Sequence, residues 1–395
     1  MATFNPAAAT AAYLAQMSPA DHARATAYTH GQHWLLLGGW AATCVAAWLI
    51  LKSGVLSGLE ARLEAKRPRP LLVSLIAGVL FLGLDWLLEL PWSSYADWWR
   101  EASYGLNNQS WLGWLADNAK VTAINVPVMA VFLAAIYWLM RRAPRLWPLL
   151  AGMLTAGFLL LANWAQPVVI EPLLNTYAQA PAGPVRDAVV ALGRANGVPT
   201  GKIYVFNGSR QSNRYTANVA GLFGTARVAL SDSMFAKGAD IAEVRAVVGH
   251  EMGHYVHEHV LWDAVVIGLL TVAAGWLVRR LFPAVRRRLG ASEVGGVADP
   301  AGLPILMIIF VTLLLLATPI QNSLSRVEEA DADRFSLARA GEPDGMARAL
   351  VKTIEYRASS PTDLEELLFY DHPSVEHRIR KAMDWKAAHM TGQGR

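Results

Sequence analysis

Long apolar segments alternate with polar segments along the whole chain, and this alternation predicts most of its elements. A helix needs about 17 to 25 mostly apolar residues to cross the hydrocarbon core of a bilayer, which is roughly 30 Å thick. Six segments satisfy that length, at residues 35–51, 71–90, 121–140, 146–169, 260–278 and 303–320. The pattern therefore predicts a mainly α-helical, polytopic membrane protein with six transmembrane helices.

Two longer polar segments, residues 170–259 and 321–395, have the mixed pattern of folded domains rather than of linkers. The first contains three short strand patterns separated by glycine-containing turns, at residues 202–206, 215–222 and 226–230. A helix is predicted to begin near Asp240, because Glu243 three residues later would complete a capping box. We expect that helix to run on into the fifth apolar segment. The second polar segment has helical patterns throughout.

The composition agrees with membrane insertion, since 54% of the 395 residues are hydrophobic and 17% are charged. The net charge of +4 raises the alternative of a nucleic-acid partner. However, thirteen of the Lys and Arg residues lie in three short connections, at residues 52–70, 141–145 and 279–302, which is typical of loops on the cytoplasmic side. We therefore expect a lipid bilayer, and no nucleic acid, among the partners. The single cysteine, Cys44, excludes a disulfide within the chain.

A metal-binding pattern precedes the fifth apolar segment, in the residues His250, Glu251 and His254. Residues four apart lie on one face of a helix, so both imidazoles can bind a single ion. Glu251 then lies beside the open position of that ion, where it can accept a proton from water. From this motif alone, two histidines on a solvated helix face remain an alternative. On a continuous helix His257 and His259 point elsewhere, and we expect both to face solvent or lipid headgroups.

A catalytic zinc ion needs a third protein ligand, and the helical pattern after residue 324 offers carboxylates. Glu328 and Glu329 are both candidates, and spacing alone does not choose between them. Asp333 lies one turn beyond Glu329, where an acid can orient a zinc-bound imidazole through its other ring nitrogen. The alternative is that these acids form a solvated start of a helix.

Four segments resemble motifs of a known family, at residues 90–95, 104–110, 172–175 and 325–333. On these residues the chain resembles the type I CAAX prenyl proteases, a family of integral-membrane gluzincins. The resemblance implies a zincin-like α+β metalloprotease domain with a small β-sheet and one Zn²⁺ ion as cofactor. It also selects Glu329 as the third ligand beside His250 and His254, and it gives Asp333 a positioning or proton-donating role. Eukaryotic members have seven spans, one more than we count.

The resemblance implies two further groups of site residues. Residues 371–374 and Arg378 resemble a family motif that stabilises the oxyanion, which assigns this role to His372 and Arg378, although Ser374 replaces the family's second proline. Residues 215–221 resemble the family's edge strand, which implies that an extended substrate pairs with it by strand addition. The substrate-binding residues would be Ala217, Asn218, Val219 and Gly221.

We therefore expect a membrane domain of four helices at residues 1–169 and a peptidase domain at residues 170–395, interrupted by helices near 260–278 and 303–320. The expected function is zinc-dependent hydrolysis of peptide bonds in membrane-associated polypeptides, either lipidated or misfolded. The Ala-, Arg- and Trp-rich composition favours a bacterial inner membrane. Two alternatives stay open: a zinc-stabilised membrane chaperone or quality-control protein without proteolytic activity, and a transporter with a polar appendage. The side of the membrane is also open, because the loop charges place the polar segments outside the cytoplasm and the resemblance places them inside it.

Overall fold

The computed structural model describes residues 4–214, 216–222, 224–235 and 239–390 of the chain. The helices of the N-terminal half are α1 (Pro6–Leu14), α2 (Pro19–Ser53), α3 (Val55–Glu64), α4 (Pro70–Ser93), α5 (Arg100–Ser103), α6 (Trp111–Arg142), α7 (Trp147–Ala165) and α8 (Glu171–Leu174). Those of the C-terminal half are α9 (Pro184–Ala195), α10 (Ile241–Val256), α11 (His259–Arg288), α12 (Leu303–Ala340), α13 (Pro343–Lys352), α14 (Asp363–Phe369) and α15 (Val375–Met390). The strands are β1 (Tyr177–Gln179), β2 (Ile203–Phe206), β3 (Ala217–Ala220) and β4 (Arg227–Ser231).

Six helices among the described residues are long and apolar enough to cross a membrane, which confirms the prediction from hydrophobicity. They are α2, α4 with its continuation to Ser103, α6, α7 with its continuation to Leu174, α11 and α12. The side chains of Ser18 and Ser110 begin α2 and α6 by accepting a backbone N–H from the first turn. Gly54, which has a left-handed backbone (φ 65°), ends α2.

Glycines allow the membrane helices to pack closely. A Cβ atom at Gly152 of α7 would lie 2.5 Å from the carbonyl oxygen of Gly268 on α11, and one at Gly78 of α4 would lie 3.2 Å from the Cα of Ala130 on α6. Helices in a bilayer gain stability from such close contact rather than from the exclusion of water. These contacts hold α4 against α6 and α7 against α11.

The four strands form one mixed sheet in the order β1-β2-β4-β3. Strands β2 and β4 run parallel, whereas β1 and β3 pair antiparallel with their neighbours. The sheet confirms the expected small β-sheet, and β1 is a strand that the sequence analysis missed. Tyr215, the predicted start of β3, lies outside the described residues. The sheet packs on α10 through a buried apolar cluster that includes Val228, Val248 and Met252, so the edge strand β3 lies beside the helix that carries the His250 motif.

The expectation of one helix from Asp240 into the fifth span is wrong. Helix α10 ends at Val256 and α11 begins at His259, because Glu258 between them has a left-handed backbone with φ 56° and ψ 35°. Asp240 does cap α10 by accepting the N–H of Ala242. The expected capping box is incomplete, however, since Glu243 pairs instead with Lys352 of α13.

Helix α12 is continuous over 38 residues and joins the membrane region to the polar domain. Its first half contains the sixth apolar segment, and its second half carries the acids that the sequence analysis singled out. Helices α14 and α15 contact this second half, and α13 packs on α10 and α15. The fold therefore places candidate residues from both polar segments around α10 and α12.

Candidate metal centre and cleft

The close crossing of α10 and α12 depends on two glycines of the HExxH helix. A Cβ atom at Gly253 would lie 2.9 Å from the Cα of Ala332, and one at Gly249 would lie 3.0 Å from the Oγ of Ser336. The buried Ser336 hydroxyl donates to the carbonyl oxygen of Ala246 at 2.7 Å and fixes the contact. Because the two backbones approach so closely, side chains of α12 reach the histidines of α10 directly.

His250, His254 and Glu329 converge with their ligand atoms on one point. The two Nε2 atoms of the histidines are 3.2 Å apart, and the Glu329 carboxylate oxygens lie 3.2 Å from Nε2 of His250 and 3.4 Å from Nε2 of His254. Ligands about 2.0 to 2.1 Å from a tetrahedral zinc ion are separated by about 3.3 Å, so these separations have the size that such an ion requires, with each histidine facing a different oxygen of Glu329. Oε2 of Glu329 is buried and has no hydrogen-bond partner among the described residues, as expected for an atom that binds a cation.

Asp333 contacts His250 at Nδ1, the ring nitrogen that faces away from the candidate metal position. Its Oδ1 lies 2.9 Å from Nδ1 of His250, and it accepts two hydrogen bonds of 2.7 Å from the guanidinium of Arg378. A carboxylate in this position holds the ring with its proton on Nδ1 and leaves the lone pair of Nε2 for a metal. Burial alone would lower the pKa of His250, but the neighbouring carboxylates of Asp333 and Glu329 outweigh it and raise that pKa to about 10. The carboxylates therefore favour a positive charge at this point, which suits the binding of a cation.

Glu251 lies in a cleft of about 480 Å³ together with His250, Asp333, His372 and Arg378. Burial raises the pKa of Glu251 above its ordinary value, although the neighbouring histidines oppose the change. A carboxylate with a raised pKa is a better proton acceptor near neutral pH than an exposed one. The cleft thus contains a base beside the candidate metal ligands.

His372 and Arg378 reach the same cleft from the C-terminal helices. Nε2 of His372 is 3.1 Å from Oε1 of Glu329, and its Nδ1 is 2.8 Å from Asp371. Arg378 uses Nε and Nη2 on Asp333. Ser374 stands where the family motif has a proline, and its backbone N–H donates to Glu366, a bond that a proline could not make.

Strand β3 forms one wall of the cleft. Ala217 and Thr216 line the cleft, and Asn218 and Val219 pair with β4 on the inner side of the strand. In the sheet that the structure describes, the other side of β3 has no neighbouring strand. Gly221 follows the strand with φ 105°, and a Cβ atom there would lie 2.7 Å from the backbone of Thr225.

Several cleft residues were not identified from the sequence. They come mainly from α10, α13 and the loop before β3: Arg214, Ala246, Val247, Met346, Leu350 and Thr353. Most of these residue types carry no chemical signature, and the folded arrangement alone brings them to the cleft.

The prediction that His257 and His259 face solvent or headgroups is wrong for His259, which is 7% exposed. Its Nδ1 lies 2.8 Å from Nδ1 of His254. The prediction assumed a continuous helix, whereas the chain turns sharply at Glu258 and redirects both side chains. His257 pairs with Asp331 of α12.

The fold and this centre together define an integral-membrane metallopeptidase. The sequence model of Peptidase family M48 matches residues 180–386, and the chain belongs to that family. A second model, described as the CAAX prenyl protease N-terminal region with five membrane helices, matches residues 5–176. Within that region we find four helices long and apolar enough to span. The protein is therefore a multi-pass membrane metalloendopeptidase that depends on a metal ion, and the comparisons do not support a chaperone.

Known proteins resemble the chain over most of its length. A Bacillus subtilis protein described as an uncharacterized metalloprotease, YhfN, is 28% identical over 381 residues, covering 93% of this chain and 86% of the relative. CAAX prenyl protease 1 of Saccharomyces cerevisiae is 26% identical over 347 residues, covering 80% of this chain and 74% of the yeast protein. The crystal structure of S. mikatae Ste24p matches with a TM-score of 0.75 at 21% identity, covering 93% of this chain and 90% of that one, and shares the fold.

Proposed function

We propose that the protein is a zinc endopeptidase in which His250, His254 and Glu329 bind one Zn²⁺ ion. The observation that carries this proposal is the convergence of the two Nε2 atoms and the Glu329 carboxylate, with atom pairs 3.2 to 3.4 Å apart. Two imidazole nitrogens and one carboxylate are a donor set of catalytic zinc sites, which keep a further position open. The Glu329 oxygen without a hydrogen-bond partner among the described residues also supports it.

Each of these side chains has a separate role in the proposed hydrolysis of a peptide bond. Zinc supplies Lewis acidity and makes water a stronger acid. Glu251 accepts a proton from the attacking water and later delivers it to the leaving amine nitrogen. His372 and Arg378 stabilise the negative charge that develops on the carbonyl oxygen. Asp333 holds His250 in the tautomer that binds metal.

The proposed substrate is a membrane-associated polypeptide that adds as a strand beside β3. Residues Ala217, Asn218, Val219 and Gly221 would bind its backbone, because an edge strand offers backbone hydrogen bonds to an extended chain. The similarity to a yeast protein named as a CAAX prenyl protease favours a lipidated C-terminus. The bacterial relative favours a bacterial inner membrane, where a misfolded membrane protein is the alternative substrate. We divide the chain into a membrane domain, residues 1–169, and a peptidase domain, residues 170–395.

The central test replaces the base without replacing a ligand. We expect Glu251→Gln to keep one zinc ion per chain, measured by elemental analysis, and to lose cleavage of an unfolded test protein. The matched variant His254→Ala should lose both zinc and cleavage. If Glu251→Gln cleaves like the unchanged protein, the assigned chemistry is wrong.

A second test addresses the substrate. One peptide is prepared with and without a lipid on its C-terminal cysteine, and the fragments are identified by mass spectrometry. Preferential cleavage of the lipidated form supports lipid recognition. Equal cleavage of both forms supports a role in degrading misfolded polypeptides.

A further inference from the structure

The sharp turn at Glu258 brings two histidines together that a continuous helix would separate. Glu258 is the one non-glycine residue with a positive φ in the described part of the chain. Residues two apart on an α-helix are about 200° apart around its axis. After this turn the rings of His257 and His259 are 5.7 Å apart, and both approach Asp331 of α12.

A chain of contacts leads from the metal centre through His259 to Asp331. Nδ1 of His254 lies 2.8 Å from Nδ1 of His259, and Nε2 of His259 lies 3.6 Å from Oδ2 of Asp331. His259 is 7% exposed, so water competes little for these contacts. Asp331 is itself held by His257 and by Arg334, whose guanidinium donates to it at 2.6 Å.

The positions of the protons follow from the direction in which His254 faces the metal centre. If Nε2 of His254 binds the ion, the neutral ring must carry its proton on Nδ1. That proton points at Nδ1 of His259, which must then accept with its lone pair. A neutral His259 consequently carries its own proton on Nε2, which lies 3.6 Å from Oδ2 of Asp331 and is attracted by its charge, although the distance is longer than that of a direct hydrogen bond. Each ring thus fixes the tautomer of the other.

A second cation site is the competing interpretation of these residues, since ligand atoms of His257, His259 and Asp331 all lie within 4.8 Å of one another. Metal binding would require the lone pair at Nε2 of His259, and its proton would then sit on Nδ1. Two N–H groups would face each other across the 2.8 Å contact with His254. The guanidinium of Arg334 on Asp331 also disfavours a second cation. The contacts therefore favour hydrogen bonding over metal ligation.

We propose that His259 is the positioning residue for His254, with Asp331 as the acid whose charge favours the tautomer of His259 that is protonated on Nε2. The inference deepens the proposed function and rests on its set of metal ligands. Asp333 contacts Nδ1 of His250 directly, whereas the imidazole of His259 lies between His254 and the acid Asp331. Such partners orient a ligand and raise its basicity, so His259 contributes to metal affinity without touching the metal or the substrate.

The test uses two substitutions of His259 in the full-length protein in detergent. In His259→Asn the Oδ1 atom takes the place of Nδ1 and can accept from His254, whereas His259→Phe keeps a ring of similar size without any acceptor. We expect His259→Phe to weaken zinc binding by about 10- to 100-fold in competition with a chelator, and His259→Asn to stay near the unchanged protein. The visible spectrum of the Co²⁺-loaded protein should differ from that of the unchanged protein strongly in His259→Phe and little in His259→Asn.

His257→Phe is the matched control, because His257 contacts Asp331 but not His254, and it should leave zinc affinity unchanged. Asp331→Asn provides a second variant if His259→Phe does not fold, and it should bind zinc more weakly than the unchanged protein in the same chelator competition. Equal zinc affinity in the folded His259→Phe variant, or in Asp331→Asn, overturns the inference. So does a second zinc ion in the unchanged protein that is lost in Asp331→Asn. If the unchanged protein binds no zinc, the proposed function itself fails, and the chelator experiment shows this before any variant is compared.

Discussion

At the scale of single residues, the site shows why neighbouring acids on α12 have different surroundings. Glu329 is 7% exposed and faces both histidines of the HExxH motif, whereas Glu328 lines an outer groove with Asp263 between α11 and α12. Successive helix residues differ by about 100° around the axis, so one of the two must face away. The two histidines could be predicted because their spacing is a local property of one helix. The choice between the acids depends on how α12 is rotated against α10, and this required the family resemblance.

The two acids provide a matched pair of substitutions. Loss of a residue that hydrogen-bonds to a metal ligand weakens metal binding by about 10- to 100-fold. We expect Glu329→Gln to weaken zinc binding by more than this, because the substitution removes a charged ligand itself. Glu328→Gln changes the same functional group one position away and should keep its zinc. Chelator competition measures both. The assignment is refuted if Glu328→Gln loses zinc and Glu329→Gln retains it.

At the scale of elements, the sequence predicted regular segments better than their interruptions. The six spans and three of the four strands were predicted, since each has a continuous hydrophobic pattern. The break between α10 and α11 was missed because residues 255–260 contain no glycine or proline, the usual signs of such a turn. Strand β1 was missed because three residues are too few to show an alternation. The error at the break also placed His259 on the wrong face.

The left-handed residue in this break has a predictable energetic effect. An L-residue in this conformation costs roughly 1 to 2 kcal/mol relative to glycine. The free energy of unfolding of Glu258→Gly should therefore equal or exceed that of the unchanged protein. Glu258→Val should lower the free energy of unfolding by about 1 kcal/mol or more, because a β-branched side chain tolerates this backbone poorly. Denaturant titration in detergent compares them, and a Val variant as stable as the Gly variant contradicts the argument.

The N-terminus of α10 gives a prediction with a defined pH dependence. Burial raises the pKa of Asp240, but the N–H of Ala242 and the guanidinium of Arg348 outweigh it, so this pKa is lowered in the folded protein. Stabilisation by the ionised cap is therefore present above the unfolded pKa of about 4 and is lost as the pH falls through the lower folded value. We expect Asp240→Ala to cost about 1 kcal/mol at pH 7.

The same stability measurements at several pH values check the sign. The difference between Asp240→Ala and the unchanged protein should shrink below about pH 4. Asp187→Ala is a control, since Asp187 lies in the first turn of α9 but is exposed and does not cap that helix. A difference between Asp240→Ala and the unchanged protein that grows on acidification contradicts the predicted sign.

At the scale of the whole molecule, the basic connections between spans gather at one end of the helix bundle. Lys52 donates to the carbonyl oxygen of Leu289, and Arg141 donates to that of Ala298. Arg279 likewise donates to a carbonyl oxygen of the connection between α6 and α7. Hydrophobicity alone gave the number of spans, but it could not show that these three loops contact one another. The contacts make them one basic surface rather than three separate loops.

Helix α12 fixes where the metal centre lies relative to that surface. It begins at Leu303 beside the basic loops, and Glu329 follows 26 residues later, which corresponds to about 39 Å along a helix. This distance exceeds the roughly 30 Å hydrocarbon core, so the centre belongs to the opposite end of the bundle. Loops rich in Lys and Arg face the cytoplasm, and we therefore predict that the metal centre faces away from it.

Reporter fusions test this orientation without using the activity of the protein. Alkaline phosphatase, which is active outside the cytoplasm, should be active when fused after residue 390, and green fluorescent protein fused at the same place should be dark. Fusions after residue 290, within the basic surface, should give the reverse. A fluorescent fusion after residue 390 would instead place the centre in the cytoplasm, and the basic surface would then face outward against the charge rule. In the predicted orientation, the cleft beside β3 faces polypeptide segments outside the cytoplasm, and of the two proposed substrates this favours the misfolded membrane protein over the lipidated C-terminus.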